Sequence, residues 1–543
     1  MFSEPVVGEK FFGREEVLEL LNKRVLALKD GYRQNVALTG QSLAGKSSIL
    51  LHFLATIKDE SFIPVYIEVV KEPFRSFANR FIATLLYNSL AKMGEEPNID
   101  MDSLLEKASK ILPKTSSAIK HVNSSIDRDE FDEAYTSLLG LTSIIKEETR
   151  IPCIVILDEF DNLEYIGVKN TFLSFGKVIM VQKNTMYIVS SSRNQAIKKI
   201  LSEKLSLLFG NFEIVKISGF DTKRASQFIE IKLAGFETED EIKKFLITFT
   251  DGNPFYLNHL VNRIEEIAIA RMSNHIDAEV LEQAILDLVY NSNGVIHQYL
   301  LNFILDLLDT KSREEYIAVL GAIASGRNRQ PDISRHLKFK NAEVAKALVR
   351  LMELGIISKS GVFHRIDDVV LEFWLRFVYQ KRKALVVDGP AARMKLFSQE
   401  LRSYIEDFSG KSEGGAIPMI AELFNHFSNE LIQMDGKMMK LPRFTKVEIK
   451  SFANATPFIA ASFRGKSGIV QPFEHHVSEN DIIDYVRNVK AMDCPVSHKI
   501  IVPLKGIDEN AKLLAKELKI SIWEISVINM LLTFYGKPRI AIL

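Results

Sequence analysis

Short apolar runs alternate with amphipathic segments over the first part of the chain. The run Ile154–Leu157 is apolar without alternation, which is typical of a parallel strand buried on both faces. The segments between the runs repeat apolar residues at helical spacing, and residues 97–147 predict a helical insert. Strands that alternate with helices predict an α/β fold around a parallel sheet. The predicted strands are Asn35–Thr39, Phe62–Val70, Ile154–Leu157, Met186–Ser190 and Phe212–Ile217.

Helical patterns take over beyond residue 218. They are interrupted at Gly252-Asn-Pro254, because a glycine commonly ends one helix and a proline fits the first turn of the next. Residues 313–366 predict three helices and a β-hairpin, the order of a winged helix. Strands return after about residue 415 and then alternate with helices, which predicts a second α/β domain. Its predicted strands are Arg443–Ile449, Pro457–Phe463, Gly468–Phe473, Lys499–Val502 and Ile520–Trp523, and its predicted helices are Glu479–Val489 and Glu509–Leu518. The predicted domains are residues 1–217, 218–310, 311–410 and 411–543.

The first strand runs into Gly40-x-x-x-x-Gly45-Lys46-Ser47 and then into a helix, which is the signature of a phosphate-binding loop (P-loop). Without a Cβ, the glycines let backbone N–H groups converge on an anion, and the helix directs its positive dipole end at the same charge. Lys46 can reach β- and γ-phosphate oxygens, and the Ser47 hydroxyl is placed to ligate Mg²⁺. The predicted nucleotide-binding residues are Gly40, Gln41, Ser42, Leu43, Ala44, Gly45, Lys46, Ser47 and Ser48.

The run Ile154–Leu157 ends in Asp158 and Glu159, at the edge where open parallel sheets bind ligands. Beside a P-loop, this is the Walker B pattern. Asp158 would then hold Mg²⁺ through its water shell, and Glu159 would polarise the attacking water. The alternative is a strand that ends in two solvated acids. The two motifs predict ATP and Mg²⁺ as cofactors, and the lack of an Asn-Lys-x-Asp motif in the sequence favours adenine over guanine.

The composition is that of a large globular protein with balanced charge. Its 543 residues are 47% hydrophobic, and 69 basic residues balance 69 acidic ones. Without a global field, contact with nucleic acid or membrane has to come from a local patch. Two cysteines, Cys153 and Cys494, suit a reducing compartment, and no apolar run reaches the roughly 18 residues of a membrane span. We therefore predict a cytoplasmic protein without membrane contact.

The chain resembles the archaeal-type ATPases of the STAND group, relatives of the AAA+ and origin-recognition ATPases. The resemblance rests on the P-loop and Walker B motifs, Phe12-Gly-Arg-Glu-Glu16, the Ser-rich strand end at Ser190, Leu208-Phe-Gly210 and Gly252-Asn-Pro254. It covers residues 8–290 and implies a helical lid in which Pro254 lies near the adenine or its phosphates. Family members often have an arginine after the Leu-Phe-Gly element, where this chain has Asn211.

The resemblance also suggests a sensor for the γ-phosphate at the end of the predicted strand Met186–Ser190. Ser190 is the candidate, with Lys46 and Glu159 as the other catalytic residues. Serines at a strand end are also common turn formers. The neighbouring Arg193 either faces a phosphate or is solvated.

Basic residues lie in the predicted winged helix and suit phosphate contact: Arg327, Arg329, Arg335, Lys338 and Lys340. Its third helix carries Glu343 and Glu353 beside Lys346 and Arg350, without an evident base-reading set. DNA binding, protein interaction and a purely structural role all stay open for this segment.

The last domain is similar in element order to the restriction-endonuclease-like domains attached to many of these ATPases. An active member needs an acid on one strand and an acid-x-Lys on the next. Here Gln471 and Phe473 occupy the second strand and Pro457–Ser462 carries no acid, so we expect no Mg²⁺- or Mn²⁺-dependent cleavage of DNA. The alternative is a metal cluster of Glu474, His475 and His476. Five basic residues suggest either a phosphate-contacting surface or a solvated edge: Lys437, Lys440, Arg443, Lys446 and Lys450.

These patterns predict a Mg²⁺-dependent ATP-binding protein and slow ATPase that acts as a nucleotide-driven regulatory switch. DNA, through the winged helix or the C-terminal domain, and a protein are the expected partners. Two alternatives remain: an AAA+-like ring-forming DNA loader or remodeller, and an ATP-dependent binding module without hydrolysis. The sequence leaves the oligomeric state open.

Overall fold

The chain divides into two compact units. The first contains residues 1–219 with 353–355, and the second contains residues 220–352 with 356–543. The finer division into four domains stays a prediction. The computed structural model describes residues 4–57, 61–205, 211–307, 312–384, 389–413, 415–434, 437–452, 456–463, 466–492 and 496–540.

The first unit is built on a parallel five-stranded sheet of order β2-β3-β4-β1-β5. The three central strands are buried along their whole length, as expected where helices cover both faces. The predicted α/β class and its parallel P-loop sheet are confirmed. The strands are β1 (Asn35–Gly40), β2 (Ile63–Glu68), β3 (Cys153–Asp158), β4 (Thr185–Ser191) and β5 (Phe212–Ile217).

Three helices form the predicted insert before β3. Asp100 caps the first by accepting a hydrogen bond from the Ser103 N–H at 2.9 Å. Glu148 accepts hydrogen bonds from the N–H groups of Lys114 and Thr115, which begin the second. The helices of this unit are α1 (Glu15–Lys29), α2 (Lys46–Thr56), α3 (Phe74–Lys92), α4 (Met101–Ile111), α5 (Pro113–Asp127), α6 (Phe131–Thr149), α7 (Thr171–Val181) and α8 (Asn194–Lys199).

The second unit begins with helices, as predicted. Asp221 caps the first of them, since its carboxylate accepts the N–H of Arg224 at 2.8 Å. Among the described residues, no helix of either unit is long and apolar enough to cross a bilayer. The elements are α9 (Thr222–Lys232), β6 (Glu237–Thr238), α10 (Asp240–Thr250), α11 (Pro254–Ala270), β7 (His275–Ile276), α12 (Ala278–Ile285) and α13 (Val295–Leu307).

The turn between α10 and α11 requires a glycine. Gly252 has φ +66°, and its carbonyl accepts the Phe220 N–H at 2.7 Å. A Cβ at this position would lie 2.1 Å from the Phe220 carbonyl oxygen. Asn253 then accepts the Phe255 N–H at 3.0 Å, which caps α11 directly before Pro254.

Gly252→Ala is expected to destabilise the second unit by about 2 kcal/mol or more, because left-handed strain adds to the clash with backbone. Thermal unfolding followed by circular dichroism measures the effect. Gly140→Ala is the matched control, since a Cβ at this position in α6 meets nothing within 4 Å. Equal unfolding curves for the two variants would contradict the requirement for glycine.

Residues 313–366 have the predicted order of three helices and a hairpin, while their identity as a winged helix stays a prediction. In the helix that follows, the Trp374 indole is buried in the core and donates to His297 Nδ1 at 3.0 Å. The elements are α14 (Arg313–Ala324), α15 (Gln330–Leu337), α16 (Asn341–Glu353), β8 (Ile357–Ser360), β9 (Phe363–Ile366), α17 (Val369–Trp374), α18 (Gln380–Ala384), α19 (Pro390–Glu413) and α20 (Ala416–Asn425).

The C-terminal sheet is mixed and has the order β12-β13-β14-β15-β16. Its first three strands are antiparallel and its last three are parallel. Val470 belongs to one apolar cluster and Ile469 to another, so both faces of the sheet are covered. The elements are β10 (Leu431–Met434), β11 (Lys437–Lys440), β12 (Lys446–Ser451), β13 (Pro457–Phe463), β14 (Lys466–Phe473), α21 (Glu479–Lys490), β15 (Val496–Pro503), α22 (Glu509–Glu517), β16 (Ser521–Ile522) and α23 (Ile525–Phe534).

Candidate nucleotide-binding site

The P-loop connects β1 to α2 through a backbone that glycine makes possible. Gly45 has φ +93° and begins α2 as its N-cap, and Leu43 also has a positive φ of +59°. A Cβ on Gly40 would lie 2.2 Å from the Ile217 carbonyl oxygen of β5. Gly40 therefore serves the packing of β1 against β5 as well as the turn. Ser47 is the second residue of α2 and is half-buried.

The Lys46 side chain is buried, and three oxygen atoms accept hydrogen bonds from its ammonium group. Nζ donates to the carbonyls of Gly40 and Gln41 at 3.1 and 2.8 Å, and to Ser192 Oγ at 2.8 Å. Burial lowers the pKa of Lys46, while the carboxylates of Glu159 and Asp158 act in the opposite direction. The geometry therefore gathers a cation and its acceptors at the start of α2.

Glu159 points at the same serine. Its Oε1 lies 2.5 Å from Ser192 Oγ, and its Oε2 accepts the Ser192 N–H at 3.2 Å. Burial raises the pKa of Glu159, and the positive charge of Lys46 and the Ser192 hydrogen bond counteract the rise. Ser192 thus joins the P-loop lysine to the Walker B glutamate. Ser192 is not among the residues predicted from the sequence, although the run Ser190–Ser192 at the strand end was the available signal.

Asp158 is fully buried, and hydroxyl groups donate to both of its carboxylate oxygens. Ser190 Oγ donates to Oδ1, and Tyr66 Oη donates to Oδ2 at 2.9 Å. Burial, followed by the charge of Asp158, raises the pKa of Tyr66, so its hydroxyl keeps its proton. Ser190 also accepts the Glu159 N–H at 3.3 Å. The structure therefore places Ser190 against Walker B, and its role as a sensor stays a prediction.

A second network lies beside these residues and joins the ends of β3 and β4. The buried carboxylate of Asp161 accepts Ser191 Oγ at 2.7 Å and forms an ion pair with Arg193. Arg193 also donates to Asn162 Oδ1 at 3.1 Å. Arg193 is therefore held in an ion pair and is not simply solvated. The sequence left the environment of Arg193 open because it does not show that Asp161 is the partner.

The N-terminal segment contacts the P-loop helix. The Val6 N–H donates to Ser48 Oγ at 3.0 Å, and the Phe11 and His52 rings stack with centroids 4.0 Å apart. Arg14, in the Phe12–Glu16 motif, donates to the Ala44 carbonyl at 3.2 Å and to the Ser218 carbonyl at 2.5 Å. This motif is therefore part of the support of the loop.

Two further elements of the resemblance stay predictions. Leu208-Phe-Gly210 falls outside the described residues. Pro254 is the first residue of α11 in the second unit. Its proximity to a nucleotide stays a prediction.

The described residues contain no group of three or more His, Cys, Asp and Glu side chains placed to hold a metal. His475 and His476 pair with different acids, Asp481 at 3.0 Å and Asp508 at 2.8 Å. A cluster of Glu474 with both histidines is therefore not formed. Gln471 is buried, and its Oε1 has no hydrogen-bond partner in the described part of the chain.

Acidic side chains neutralise part of the positive charge on the two surfaces that could contact DNA. Arg329 pairs with Glu430 at 2.5 Å, and Arg335 lies 3.5 Å from Asp332. In the C-terminal sheet, Lys446 and Lys450 both pair with Glu448, at 2.7 and 3.4 Å. These pairs reduce the positive charge that each surface offers to phosphates.

Comparison with known proteins places an AAA ATPase domain at residues 10–165, a range that holds both nucleotide motifs. MJECL04 of Methanocaldococcus jannaschii, an uncharacterized protein, is 25% identical over 250 residues, which are 43% of this chain. The chain spans about half, 50%, of the length of this curated relative.

Two solved structures match this chain over about two thirds of its length. The Walker-type ATPase PABY2304 of Pyrococcus abyssi has a TM-score of 0.48 and 17% identity, over 69% of this chain and 99% of that one. ORC2 of Aeropyrum pernix, in ADPNP–ADP complexes, has a TM-score of 0.42 and 12% identity, over 70% of this chain and 98% of that one.

Proposed function

We propose that this chain is a Mg²⁺-dependent ATP-binding protein and slow ATPase that acts as a nucleotide-driven regulatory switch. The observation that carries the proposal is the chain of contacts from Lys46 Nζ to Ser192 Oγ, 2.8 Å, and from Ser192 Oγ to Glu159 Oε1, 2.5 Å. A lysine beside a helix N-terminus can hold phosphate oxygens, and a neighbouring carboxylate can orient a water molecule for attack. The AAA ATPase domain over residues 10–165 supports the same chemistry.

The residues of the site fit a metal-bound nucleotide. Mg²⁺ prefers oxygen ligands and keeps several waters, which suits the Ser47 hydroxyl and the Asp158 carboxylate. Hydrogen bonds from Ser190 and Tyr66 orient Asp158, as outer partners commonly orient metal-binding carboxylates. Bound there, Mg²⁺ would neutralise charge on the phosphates.

Slow turnover is part of the proposal for two reasons. Asn211 stands where relatives of the resembled group often have an arginine. In addition, Ser192 engages both Lys46 and Glu159, so these contacts have to rearrange before the two side chains can act on phosphate and water. A site that must rearrange suits a switch between nucleotide states.

The remaining parts of the proposal follow from the resemblance. They are membership of the STAND group, a lid that brings Pro254 to the nucleotide, a winged helix and an inactive nuclease-like scaffold. DNA or a protein would read the nucleotide state through the last two. Measuring whether nucleic acid co-purifies with the protein in the presence and absence of ATP tests the proposal that DNA is a partner.

Two alternatives are separated by experiment. A ring-forming DNA loader or remodeller would assemble into large oligomers with ATP, which mass measurement with and without nucleotide detects. A binding module without hydrolysis would show no product under single-turnover conditions with excess protein.

Asp158→Ala is expected to weaken Mg-nucleotide binding by about tenfold or more, since loss of an oriented partner of a metal site typically costs 10–100-fold. Metal-free nucleotide should be affected much less, because the proposed role of Asp158 is toward the metal. Titration with a fluorescent nucleotide, with Mg²⁺ or with EDTA, measures both affinities. Asp158→Asn is the matched variant that removes the charge at nearly constant size and keeps one oxygen acceptor for the neighbouring hydroxyl groups. Equal losses in both media would contradict the assignment.

A further inference from the structure

We propose that the chain forms a symmetric dimer through its edge strand β12 (Lys446–Ser451), which pairs antiparallel with β12 of a second copy and places Ile449 opposite Ile449. This inference is independent of the proposed nucleotide chemistry. Among the strands that the structure describes, β12 is the first of the C-terminal sheet and has β13 as its one hydrogen-bonded neighbour there.

The register with β13 determines which backbone groups of β12 point outward. β12 and β13 pair antiparallel, with Glu448 opposite Ala460. The Phe452 N–H donates to the Thr456 carbonyl at 2.9 Å, and these two residues continue the same register. Because hydrogen-bonded and non-hydrogen-bonded positions alternate along an antiparallel pair, the even-numbered residues of β12 bond to β13. The odd-numbered residues therefore direct their N–H and C=O groups away from the sheet.

The outward groups belong to Val447, Ile449 and Ser451. In an antiparallel pair centred on Ile449, the two Ile449 residues exchange hydrogen bonds with each other. Val447 of each copy exchanges them with Ser451 of the other. In this single register, the outward N–H and C=O groups of all three residues find hydrogen-bond partners. The hydrogen-bonded and non-hydrogen-bonded positions then alternate as they do in any antiparallel pair.

The side chains of β12 match the same register. Glu448 of each copy falls opposite Lys450 of the other, at non-hydrogen-bonded positions, where side chains approach most closely. The Ile449 side chain is 48% exposed and meets its symmetry mate on the axis. Opposite charges flank an apolar centre, and a two-fold interface of this kind is self-complementary.

Exposed lysines often protect sheet edges from pairing, but an acid lies between the two lysines of β12. Lys446 and Lys450 flank Glu448 on one face, and both already contact its carboxylate. The strand is therefore alternating in sign rather than uniformly positive. Such a strand attracts a copy of itself in the register centred on Ile449.

The experiment measures the oligomeric state of the full chain by sedimentation over a range of concentrations. The wild type is expected to dissociate on dilution, because a single strand pair forms a small interface. Glu448→Lys and Lys450→Glu should each weaken the dimer about tenfold, since like charges then oppose each other twice. The double variant E448K/K450E restores opposite charges and should return the dimer to near wild-type strength.

Ile449→Pro provides a second, backbone-based test. Proline removes an N–H that points away from β13, so the sheet keeps its own hydrogen bonds while the intermolecular pair is lost. Circular dichroism confirms that this variant is folded. Gly140→Ala is the control outside the interface and should dimerise like the wild type, since a Cβ at this position meets nothing within 4 Å.

Several results would overturn the proposal. A wild type that stays monomeric up to about 100 μM would show that β12 does not form this interface. A folded Ile449→Pro protein that dimerises normally pairs through another surface. Rescue by K446E/E448K in place of E448K/K450E would indicate a register centred on Val447, and would exclude the one proposed.

Discussion

Lys46→Ala is expected to lose nucleotide binding by a factor on the order of 100, because truncating one partner of a buried, hydrogen-bonded charge pair costs several kcal/mol. The physical reason is the position of Nζ. It already lies within 3.1 Å of three oxygen acceptors at the start of α2, where phosphate oxygens would take their place. Titration calorimetry with Mg-ATP measures the affinity of both proteins.

The control for Lys46→Ala has to separate binding from folding. Lys46→Met keeps most of the side-chain volume and removes only the charge, so its fold should be preserved. Nucleotide at about 100 times its dissociation constant stabilises a binding-competent protein by about 2.7 kcal/mol. The unfolding temperature of the wild type should therefore rise with Mg-ATP, and that of Lys46→Met should stay unchanged. If both variants bound ATP like the wild type, the P-loop assignment would be wrong.

The sheet that carries this site follows from local sequence. The apolar run before Asp158 and the glycines around Lys46 define strand, loop and helix within a few residues, and the structure places each as predicted. The spacing of apolar residues and the glycines of the turn determine these elements. A strand that is buried on both faces, for example, is recognised because it contains no polar residues.

The partners inside the site could not be predicted in the same way. Tyr66 reaches Asp158 across 92 positions of sequence, and Ser192 reaches Lys46 across 146. These contacts depend on the order of the strands, in which β3 lies between β2 and β4. A motif specifies residues that touch the ligand, whereas the residues that orient them depend on which strands become neighbours.

The C-terminal sheet shows a similar division. The sequence predicted its five strands and two helices in order, but began the first strand at Arg443, while the structure begins it at Lys446. The β10–β11 hairpin was not predicted, since two strands of four residues give too short an alternation to be recognised. Local patterns therefore fix the existence of long elements better than their ends.

Glu159→Gln is expected to bind Mg-ATP with an affinity close to that of the wild type and to lose about 100-fold or more of its turnover, the usual contribution of a general base. The amide is the same size as the carboxylate. Its oxygen can still accept the Ser192 N–H, which Oε2 accepts at 3.2 Å in the native protein. Single-turnover hydrolysis with excess protein measures the chemical step separately from product release.

The pH dependence of turnover gives an additional test of this role. Burial raises the pKa of Glu159 above its ordinary value, so the carboxylate becomes protonated at a higher pH than an exposed glutamate. A protonated Glu159 cannot accept a proton from water, and turnover should therefore fall as the pH is lowered through this raised pKa. Glu159→Gln should lack this acid limb. A variant that hydrolyses ATP at the wild-type rate, or that keeps the same acid limb, would exclude Glu159 as the residue that activates water.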